Sequence, residues 1–274
     1  MQVSMVGSFQ AAVLRKKGRQ NMRFASSMTI PYLSNLTRFV LNRCASFAQA
    51  LLPQQCVLCM ARATVMPVCS PCYESLPWLP DLRCRQCATP THDGSVCGAC
   101  LSHPPHYDGV TAAFSYEWPL APLLQQYKYG GNLALAPLFA GALAGQLHDG
   151  TDVIIPMPLS PLRLRSRGFN QALEIARGLG DAMQLPVSVD ACRRVKEGVP
   201  QASLPWAQRA RNIRAAFVCD ADVRGLRVAI VDDVMTSGAT LDELSRSLRR
   251  AGAAHVEGWV VARTLKHESR QRTT

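Results

Sequence analysis

Residues 228–240 read VAIVDDVMTSGAT, and this stretch decides the fold. The apolar run at 228–231 is typical of a strand that is buried on both faces of a sheet. It ends at two adjacent carboxylates, Asp232 and Asp233, and continues into small and hydroxyl-bearing residues that open a helix. Ligands of parallel α/β sheets bind at the carboxyl ends of the strands, so we expect a ligand at this point.

The loop that follows the strand suits a phosphate group. It combines hydroxyl groups, close backbone approach and a helix N terminus, whose amide groups attract anions. Carboxylates repel phosphate but accept hydroxyl groups or bind a metal ion. A ribose 5-phosphate, with a phosphate at one end and a diol at the other, fits both parts, whereas an ordinary turn with a capping threonine is the alternative. The loop residues are Thr236, Ser237, Gly238, Ala239 and Thr240.

Apolar strands alternate with helices through the C-terminal part of the chain. That order predicts an α/β fold with a parallel sheet and helices on both faces. The predicted strands cover residues 110–116, 152–159, 227–234 and 256–264, and the predicted helices cover 119–128, 133–148, 170–183 and 240–253.

Four CxxC pairs precede this region: CVLC, CSPC, CRQC and CGAC. The first two pairs and the last two have the same spacing, which indicates an internal repeat. Zinc prefers four tetrahedral thiolates, and two CxxC turns supply one closed structural site. A disulfide framework is typical of secreted chains and a thioredoxin-like motif occurs singly, so two structural zinc ions are the favoured interpretation.

The spacing favours one pairing of these cysteines, although crossed pairing stays open. Cys44, Cys192 and Cys219 have no partners at ligand spacing, and we expect them to be small core residues. The simplest pairing puts Cys56, Cys59, Cys69 and Cys72 on one ion and Cys84, Cys87, Cys97 and Cys100 on the other.

The composition is that of a globular protein with a polyanionic partner. Hydrophobic residues make up 48% of the chain, and no apolar run approaches the roughly 18 residues that span a bilayer, so we expect no membrane span. The formal net charge is +11, which favours an anionic partner. Residues 1–30 are basic and free of carboxylates; we expect a disordered extension, with a transit peptide or a true start near Met28 as alternatives.

These observations divide the chain into segments. The expected order after the extension is a short helix over 31–52, a zinc ribbon module over 53–105, the larger domain over 106–265 and a C-terminal tail over 266–274.

Five motifs in order resemble a known family. IVDDVMTSGAT resembles the phosphoribosyl pyrophosphate signature of type I phosphoribosyltransferases. Together with the cysteine pairs, YKYGGN at 127–132, IPMPLSPLRLRSRGFNQA at 155–172 and PQASLPWAQRARNIRAAF at 200–217, it resembles the ComF family of competence-associated proteins, also called GntX or amidophosphoribosyltransferase-like. The resemblance runs from about Cys56 to Arg263 and implies a type I phosphoribosyltransferase-like sheet behind a double zinc ribbon.

The resemblance also implies a set of site residues. Asp232 and Asp233 would be catalytic and lie by the ribose hydroxyls, the TSGAT loop would hold the 5-phosphate, and Mg²⁺ would bridge the sugar hydroxyls and the pyrophosphate. Residues 201–212 would form a loop that closes over the substrate. The further contacts implied are Lys128, Pro156, Arg163, Arg167, Gln201 and Arg209.

The same resemblance implies a cytoplasmic protein of DNA uptake, natural transformation or DNA utilisation. We expect it to bind phosphoribosyl pyrophosphate and to handle single-stranded DNA through its zinc ribbons and arginine-rich segment. The alternative is an active Mg²⁺-dependent phosphoribosyltransferase, a glycosyltransferase that acts on an unknown acceptor without direct DNA binding. A third hypothesis is a scaffold whose zinc module docks a competence helicase or a translocation partner.

Overall fold

A computed structural model of the chain describes residues 54–63, 66–196 and 214–265. All of them belong to one compact unit, Gln49–Thr274. The predictions for 1–30, for 31–52 with Cys44, for the closing loop with Gln201 and Arg209, and for 266–274 lie outside the described residues. Within the described part of the chain, no helix has both the length and the apolar character of a membrane span.

The cysteine-rich part has little regular structure. Strands β1 (Gln54–Gln55) and β2 (Arg62–Ala63) pair antiparallel. Helices α1 (Ser70–Glu74) and α2 (Gly98–Ser102) each begin directly after the first cysteine of a CxxC pair.

The rest of the chain contains the predicted alternation of strands and helices, and all four predicted strands and all four predicted helices are confirmed. The elements are β3 (Gly109–Ser115), α3 (Leu120–Tyr129), a 3-10 turn at Leu133–Leu135, α4 (Ala136–Ala144), β4 (Val153–Pro156), α5 (Pro161–Arg167), α6 (Gln171–Met183), β5 (Cys192–Arg194), β6 (Phe217–Cys219), β7 (Arg227–Met235), α7 (Ala239–Arg250) and β8 (His255–Arg263).

Two differences from the predicted bounds have local causes. Strand β4 ends at Pro156 rather than at residue 159, because the prolines at 156 and 158 have no N–H for a sheet hydrogen bond. Helix α5 was not predicted, since it has only seven residues. Ser160 caps it by accepting a hydrogen bond from the N–H of Arg163 at 3.4 Å, and Pro161 occupies its first position.

The central sheet has four parallel strands in the order β3, β8, β7, β4. One face packs against α3, α4 and α6 through side chains such as Leu123, Phe139 and Leu179. The other face packs against α7 through residues such as Leu244 and Leu248. The predicted fold class, a parallel sheet covered by helices on both faces, is therefore confirmed.

The cysteine-rich part packs against both faces of this sheet. Cys56 joins the core with α3 and α4, whereas Cys84 joins the core with α7. The chain between them follows the outer edge of β3: the N–H of Leu79 donates to the carbonyl of Ala113 at 3.0 Å, and the N–H of Ser115 donates to the carbonyl of Pro77 at 2.8 Å. The two halves of the cysteine repeat thus lie on opposite sides of the sheet.

A short antiparallel pair, β5 with β6, leads into and out of residues 197–213. Cys192 and Cys219 face each other in this pair and form a disulfide. We expected both to be small core residues, and the disulfide corrects that role, because the strand register brings together residues that are far apart in the sequence. Cys192 is nevertheless buried, as expected.

The contact of α7 with β8 gives a test of the packing. A Cβ added to Gly258 would lie 2.4 Å from Cδ2 of Leu241 and 3.3 Å from Cγ2 of Val110. We expect Gly258→Ala to lower the free energy of unfolding by about 1–3 kcal/mol, because the buried leucine must move in a packed core. Urea denaturation measures this change.

Gly141 on α4 is the matched control, since a Cβ there would meet nothing within 4 Å. We expect Gly141→Ala to raise the free energy of unfolding by roughly 0.5–1 kcal/mol, because alanine favours helix. A Gly258→Ala protein as stable as the wild type would contradict this packing of α7 on β8.

Candidate functional site

The two carboxylates lie near the carboxyl end of β7, where all the strands of the sheet end. Val228 and Ile230 pack in one core and Ala229 and Val231 in the other, so side chains along β7 alternate between the two faces. Asp233 lies on the side of α3, where it contacts Lys128. The alternation does not continue past the carboxylates, because Val234 packs with Ala229 and Val231 whereas Met235 packs with Val228 and Ile230.

Asp233 forms an ion pair with Lys128 of α3. The Nζ of Lys128 lies 3.0 Å from Oδ1 of Asp233, and the two side chains are only 18% and 11% exposed. Gln171 holds this end of α3: its Nε2 donates to the carbonyl of Lys128 at 3.4 Å, and its own carbonyl accepts from the hydroxyl of Tyr127 at 2.8 Å. The ammonium group is therefore fixed beside the carboxylates.

Asp232 is partly buried and accepts a hydrogen bond from the N–H of Asp233 at 2.9 Å. Burial of this carboxyl, together with the charge of Asp233, raises the pKa of Asp232 to about 7. The charges of Lys128 and Arg167 act in the opposite direction. A hydroxyl donor or a cation placed against Asp232 would favour its ionised form.

The loop from Thr236 to Thr240 turns the chain from β7 into α7. Gly238 has a φ of 78°, and an added Cβ would lie 2.6 Å from Cε of Met235 and 3.0 Å from the hydroxyl of Tyr107. Because this glycine is also the N-cap residue, it supplies no capping side chain, although Ser237 Oγ accepts from the N–H of Ala239 at 3.4 Å. The helix N terminus is therefore suited to an anion.

A second cationic side chain approaches from α5. Arg167 donates to Oε1 of Gln171 at 3.0 Å, and its guanidinium lies 5.2 Å from the ring centre of Tyr129. Arg163 lies in the first turn of the same helix, and Pro156 ends β4 at the same edge of the sheet. The structure thus brings the loop, both carboxylates, Lys128 and Arg167 to one edge.

Arg263 is a site residue that the sequence reasoning missed. It ends β8, directly beside Met235 at the end of β7, and its guanidinium donates to carbonyl groups of the loop. The sequence does mark this residue, because Arg263 follows the apolar run of β8 and charged residues are rarely buried without a partner.

The ribbon cysteines form two clusters with the simpler of the predicted pairings. Within each cluster the sulfur atoms lie within 4.8 Å of one another, and one pair of sulfurs in each is 3.6 Å apart. Four sulfurs bound tetrahedrally at about 2.3 Å would be separated by about 3.8 Å, so both clusters fit a zinc ion. The clusters are Cys56, Cys59, Cys69 and Cys72, and Cys84, Cys87, Cys97 and Cys100.

The two clusters also repeat each other in backbone detail. The residue after the first pair has positive φ in both, 62° at Met60 and 56° at Ala88. Its N–H donates to the carbonyl of the first cysteine, Cys56 at 2.9 Å and Cys84 at 2.8 Å. The internal repeat predicted from the spacing is therefore a repeat of structure.

The thiols of the first cluster differ in acidity. Burial raises the pKa of Cys56, but hydrogen bonds from the backbone of Cys69, Cys59 and Leu58 outweigh it and lower the pKa to about 6. Hydrogen bonds with Cys59 and Cys69 raise the pKa of Cys72 to about 12. A bound dication would lower the pKa of all four thiols, because it stabilises the four thiolates together.

Comparison with known proteins matches both parts of the chain. Residues 47–101 match the family model of the double zinc ribbon domain. The DNA utilization protein YhgH of Shigella flexneri is 34% identical over 191 residues, which cover 66% of this chain and 84% of that protein. The chain belongs to the ComF/YhgH family.

Two competence proteins are similar to this chain as well. Competence protein F of Haemophilus influenzae is 29% identical over 223 residues, covering 76% of this chain and 96% of that protein. Competence protein ComFC of Streptococcus pneumoniae is 26% identical over 199 residues, covering 72% and 87%. Membership of the ComF/YhgH family connects this chain with proteins named for competence and DNA utilisation.

Similar solved structures include an amidotransferase and a phosphoribosyltransferase. The glutamine phosphoribosylpyrophosphate amidotransferase of B. subtilis has a TM-score of 0.36 and 20% identity, covering 50% of this chain and 30% of its own. The purine phosphoribosyltransferase of Pyrococcus horikoshii has a TM-score of 0.30 and 22% identity, covering 47% and 82%. The ComF/YhgH chain thus spans about a third of the amidotransferase. The family membership, the zinc ribbon match and the four-stranded parallel sheet confirm the predicted parallel α/β sheet behind a double zinc ribbon.

The raised pKa of Asp232 predicts a pH-dependent stability. The folded protein holds this proton more tightly than the unfolded chain, so the group's contribution to stability is complete below its ordinary pKa and is lost as the pH rises through about 7. We expect Asp232→Asn, a neutral side chain of similar size, to unfold at higher denaturant concentration than the wild type at pH 8.

That difference should shrink by more than about 1.4 kcal/mol, the equivalent of one pKa unit, between pH 8 and pH 5. Denaturant titrations of both ligand-free, zinc-loaded proteins at four pH values in this range measure it. A difference that stays constant across the range would show that Asp232 is ionised at all of these pH values.

Proposed function

We propose that this chain binds phosphoribosyl pyrophosphate, as its Mg²⁺ complex, at the carboxyl end of β7, and that it takes part in DNA uptake or DNA utilisation by handling single-stranded DNA. The observation that carries the proposal is the joining of two opposite chemistries in one short segment. A pair of carboxylates and a helix N terminus suited to an anion are separated only by residues 234–236 and the glycine turn.

The carboxylates suit the diol of the ribose. Asp232 carries a raised pKa because it is buried beside a second carboxylate, and hydroxyl donors or a dication would relieve that conflict. The oxygen ligands that Mg²⁺ prefers are present here, so the residues fit the ion. When bound, Mg²⁺ would neutralise charge on the pyrophosphate leaving group.

The loop suits the 5-phosphate of the same ligand. The N–H groups of the first turn of α7 and the hydroxyl groups of Thr236 and Thr240 are donors at an anion-favouring helix end. Lys128 and Arg167 supply positive charge on the far side of the carboxylates, where the pyrophosphate of this ligand would lie. Arg163 and Pro156 belong to that side of the proposed site, and Gln201 and Arg209 stay predictions.

The surface beside the site suits single-stranded DNA. Tyr129 follows Lys128 directly and is 75% exposed, with the guanidinium of Arg167 beside its ring. Exposed Arg165 lies on the same short helix as Arg167. An exposed aromatic ring among arginines can stack a base while the arginines bind the backbone. The names of the relatives, DNA utilization protein and competence protein, support this part of the proposal.

The second candidate function is catalysis without DNA binding. In that reaction a nucleophile would displace pyrophosphate from C1 of the sugar, and the pair Lys128 and Asp233 would position the ligand. The buried, specific ion pair favours this candidate, since a mere binding surface does not need it. A competence helicase or translocation partner and a cytoplasmic setting stay predictions.

Ligand binding tests the proposal directly. We expect calorimetric titration of zinc-loaded protein with phosphoribosyl pyrophosphate and Mg²⁺ to give saturable binding. The double variant Asp232→Asn, Asp233→Asn should bind at least about tenfold more weakly, because it loses the charges that accept the hydroxyls and the ion.

The matched control is Asp149→Asn, Asp181→Asn, which removes the same charge from two exposed residues outside the site. This control should bind like the wild type. Absence of any binding by the wild type would refute the proposed ligand. Release of pyrophosphate on addition of candidate acceptors would favour the catalytic function.

DNA binding is tested by fluorescence anisotropy with a labelled oligothymidine at several salt concentrations. We expect affinity to fall with salt, with a log–log slope of about −0.7 for each phosphate contacted. Tyr129→Ala should weaken binding by about 5- to 100-fold with little change in slope, because stacking is not electrostatic.

Trp118→Ala is the control, since Trp118 is 81% exposed and lies before the opposite end of α3. It should bind DNA like the wild type. An equal loss from both variants, or affinity that does not depend on salt, would contradict a DNA surface centred on the site.

A further inference from the structure

Arg263 connects the second zinc cluster, which contains Cys87, to residues 236–240, which we call the phosphate loop. Its Nε donates to the carbonyl of Cys87 at 2.9 Å. Its Nη1 donates to the carbonyl of Met235 at 3.1 Å and also to the carbonyl of Thr236. A further bond, at 2.8 Å, goes to the carbonyl of Thr264. One guanidinium thus holds a metal-ligand residue and the first two peptide groups of the loop.

These bonds orient the first two peptides of the loop, together with the bond that the N–H of Thr264 donates to the carbonyl of Met235 at 2.9 Å. A peptide is planar and trans, so its N–H points away from its carbonyl. Because the carbonyls of Met235 and Thr236 are bonded to Arg263, the N–H groups of Thr236 and Ser237 point to the opposite side. Arg263 therefore helps to orient these two donors, which belong to the loop proposed to bind the phosphate.

A second connection runs through the segment that follows the second cluster. The hydroxyl of buried Tyr107 is one of the two groups that would clash with a side chain at Gly238. The preceding residue, His106, binds Asp242 of α7: its N–H donates to Oδ1 at 2.6 Å, and its Nδ1 lies 3.0 Å from the same oxygen. The end of the zinc ribbon therefore also holds the first turn of α7.

The first cluster has a different environment. Cys84, Cys87 and Cys100 share a core with Met235 and Leu241, at the two ends of the phosphate loop. Cys56 shares the core on the other face of the sheet, with α3 and α4. The two clusters are alike in ligands and backbone, so they form a natural internal comparison.

We infer that Arg263 is a positioning residue for the phosphate loop and couples that loop to the second zinc site alone. Ligand binding and zinc retention in the second site are then linked: a phosphate on the loop slows zinc loss, and an intact second site strengthens phosphate binding. The inference rests on the proposed function, because it needs a phosphate ligand at the loop.

Zinc release measures this coupling without a need for catalysis. Zinc-loaded protein is mixed with excess 4-(2-pyridylazo)resorcinol, whose colour reports the rate of release. Samples taken during release are alkylated with N-ethylmaleimide, and mass spectrometry assigns the loss to one cluster or the other. We expect saturating phosphoribosyl pyrophosphate with Mg²⁺ to slow release from the second cluster at least about fivefold and to leave the first unchanged.

Arg263→Gln tests the connection in the absence of ligand. We expect faster zinc release from the second cluster, because Cys87 loses its anchor, with unchanged release from the first and full zinc content after purification. The control is Arg83→Gln, because Arg83 also lies in the ribbon and donates to Pro80 and Gln146 but does not contact the loop. It should behave like the wild type in both clusters.

Arg263→Gln should also bind phosphoribosyl pyrophosphate at least about tenfold more weakly than Arg83→Gln in calorimetry. Each failure has its own signature. A wild type that binds no ligand overturns the proposed function and the inference together. A wild type that binds ligand without slower release, or an Arg263→Gln protein that releases zinc like the control, overturns the inference alone. The wild-type measurement decides the case even if Arg263→Gln does not fold.

Discussion

Residues 228–231 of β7 are packed between two apolar cores, and the position of the candidate site depends on that packing. The strand lies between parallel neighbours and is buried on both sides, so its register cannot shift by one residue without moving apolar groups out of both cores. Asp232 and Asp233 follow directly, and Asp233 lies on the side of α3. Asp233 therefore lies within reach of Lys128, and the loop begins at a fixed position at the carboxyl end of β7.

The parts that were predictable from the sequence are local. The strand with its carboxylates and loop, the helix that follows, and the cysteine repeat each lie within a short stretch whose pattern has a direct physical meaning. Two pairings of the cysteines were open, and the structure has the simpler one. In each cluster the two CxxC pairs follow one another in the chain.

The parts that were missed depend on contacts between distant segments. The ion pair of Lys128 with Asp233, the bonds of Arg263 and the disulfide between Cys192 and Cys219 all follow from strand order and register. No periodicity in the sequence encodes the order β3, β8, β7, β4. The resemblance supplied the residues that belong together, but it did not indicate that the ribbon divides its two clusters between the faces of the sheet.

The path of the chain between the two clusters has a consequence for association between molecules. An exposed edge strand offers unpaired N–H and carbonyl groups to any other strand, including one from a second copy of the protein. In this chain the backbone of Pro77 and Leu79 forms hydrogen bonds with Ser115 and Ala113 at the outer edge of β3. One cysteine cluster precedes this segment in the sequence and the other follows it. Zinc bound in both clusters would hold this covering segment at its two ends, and loss of the metal would then leave the seven-residue edge of β3 open to pairing with another chain.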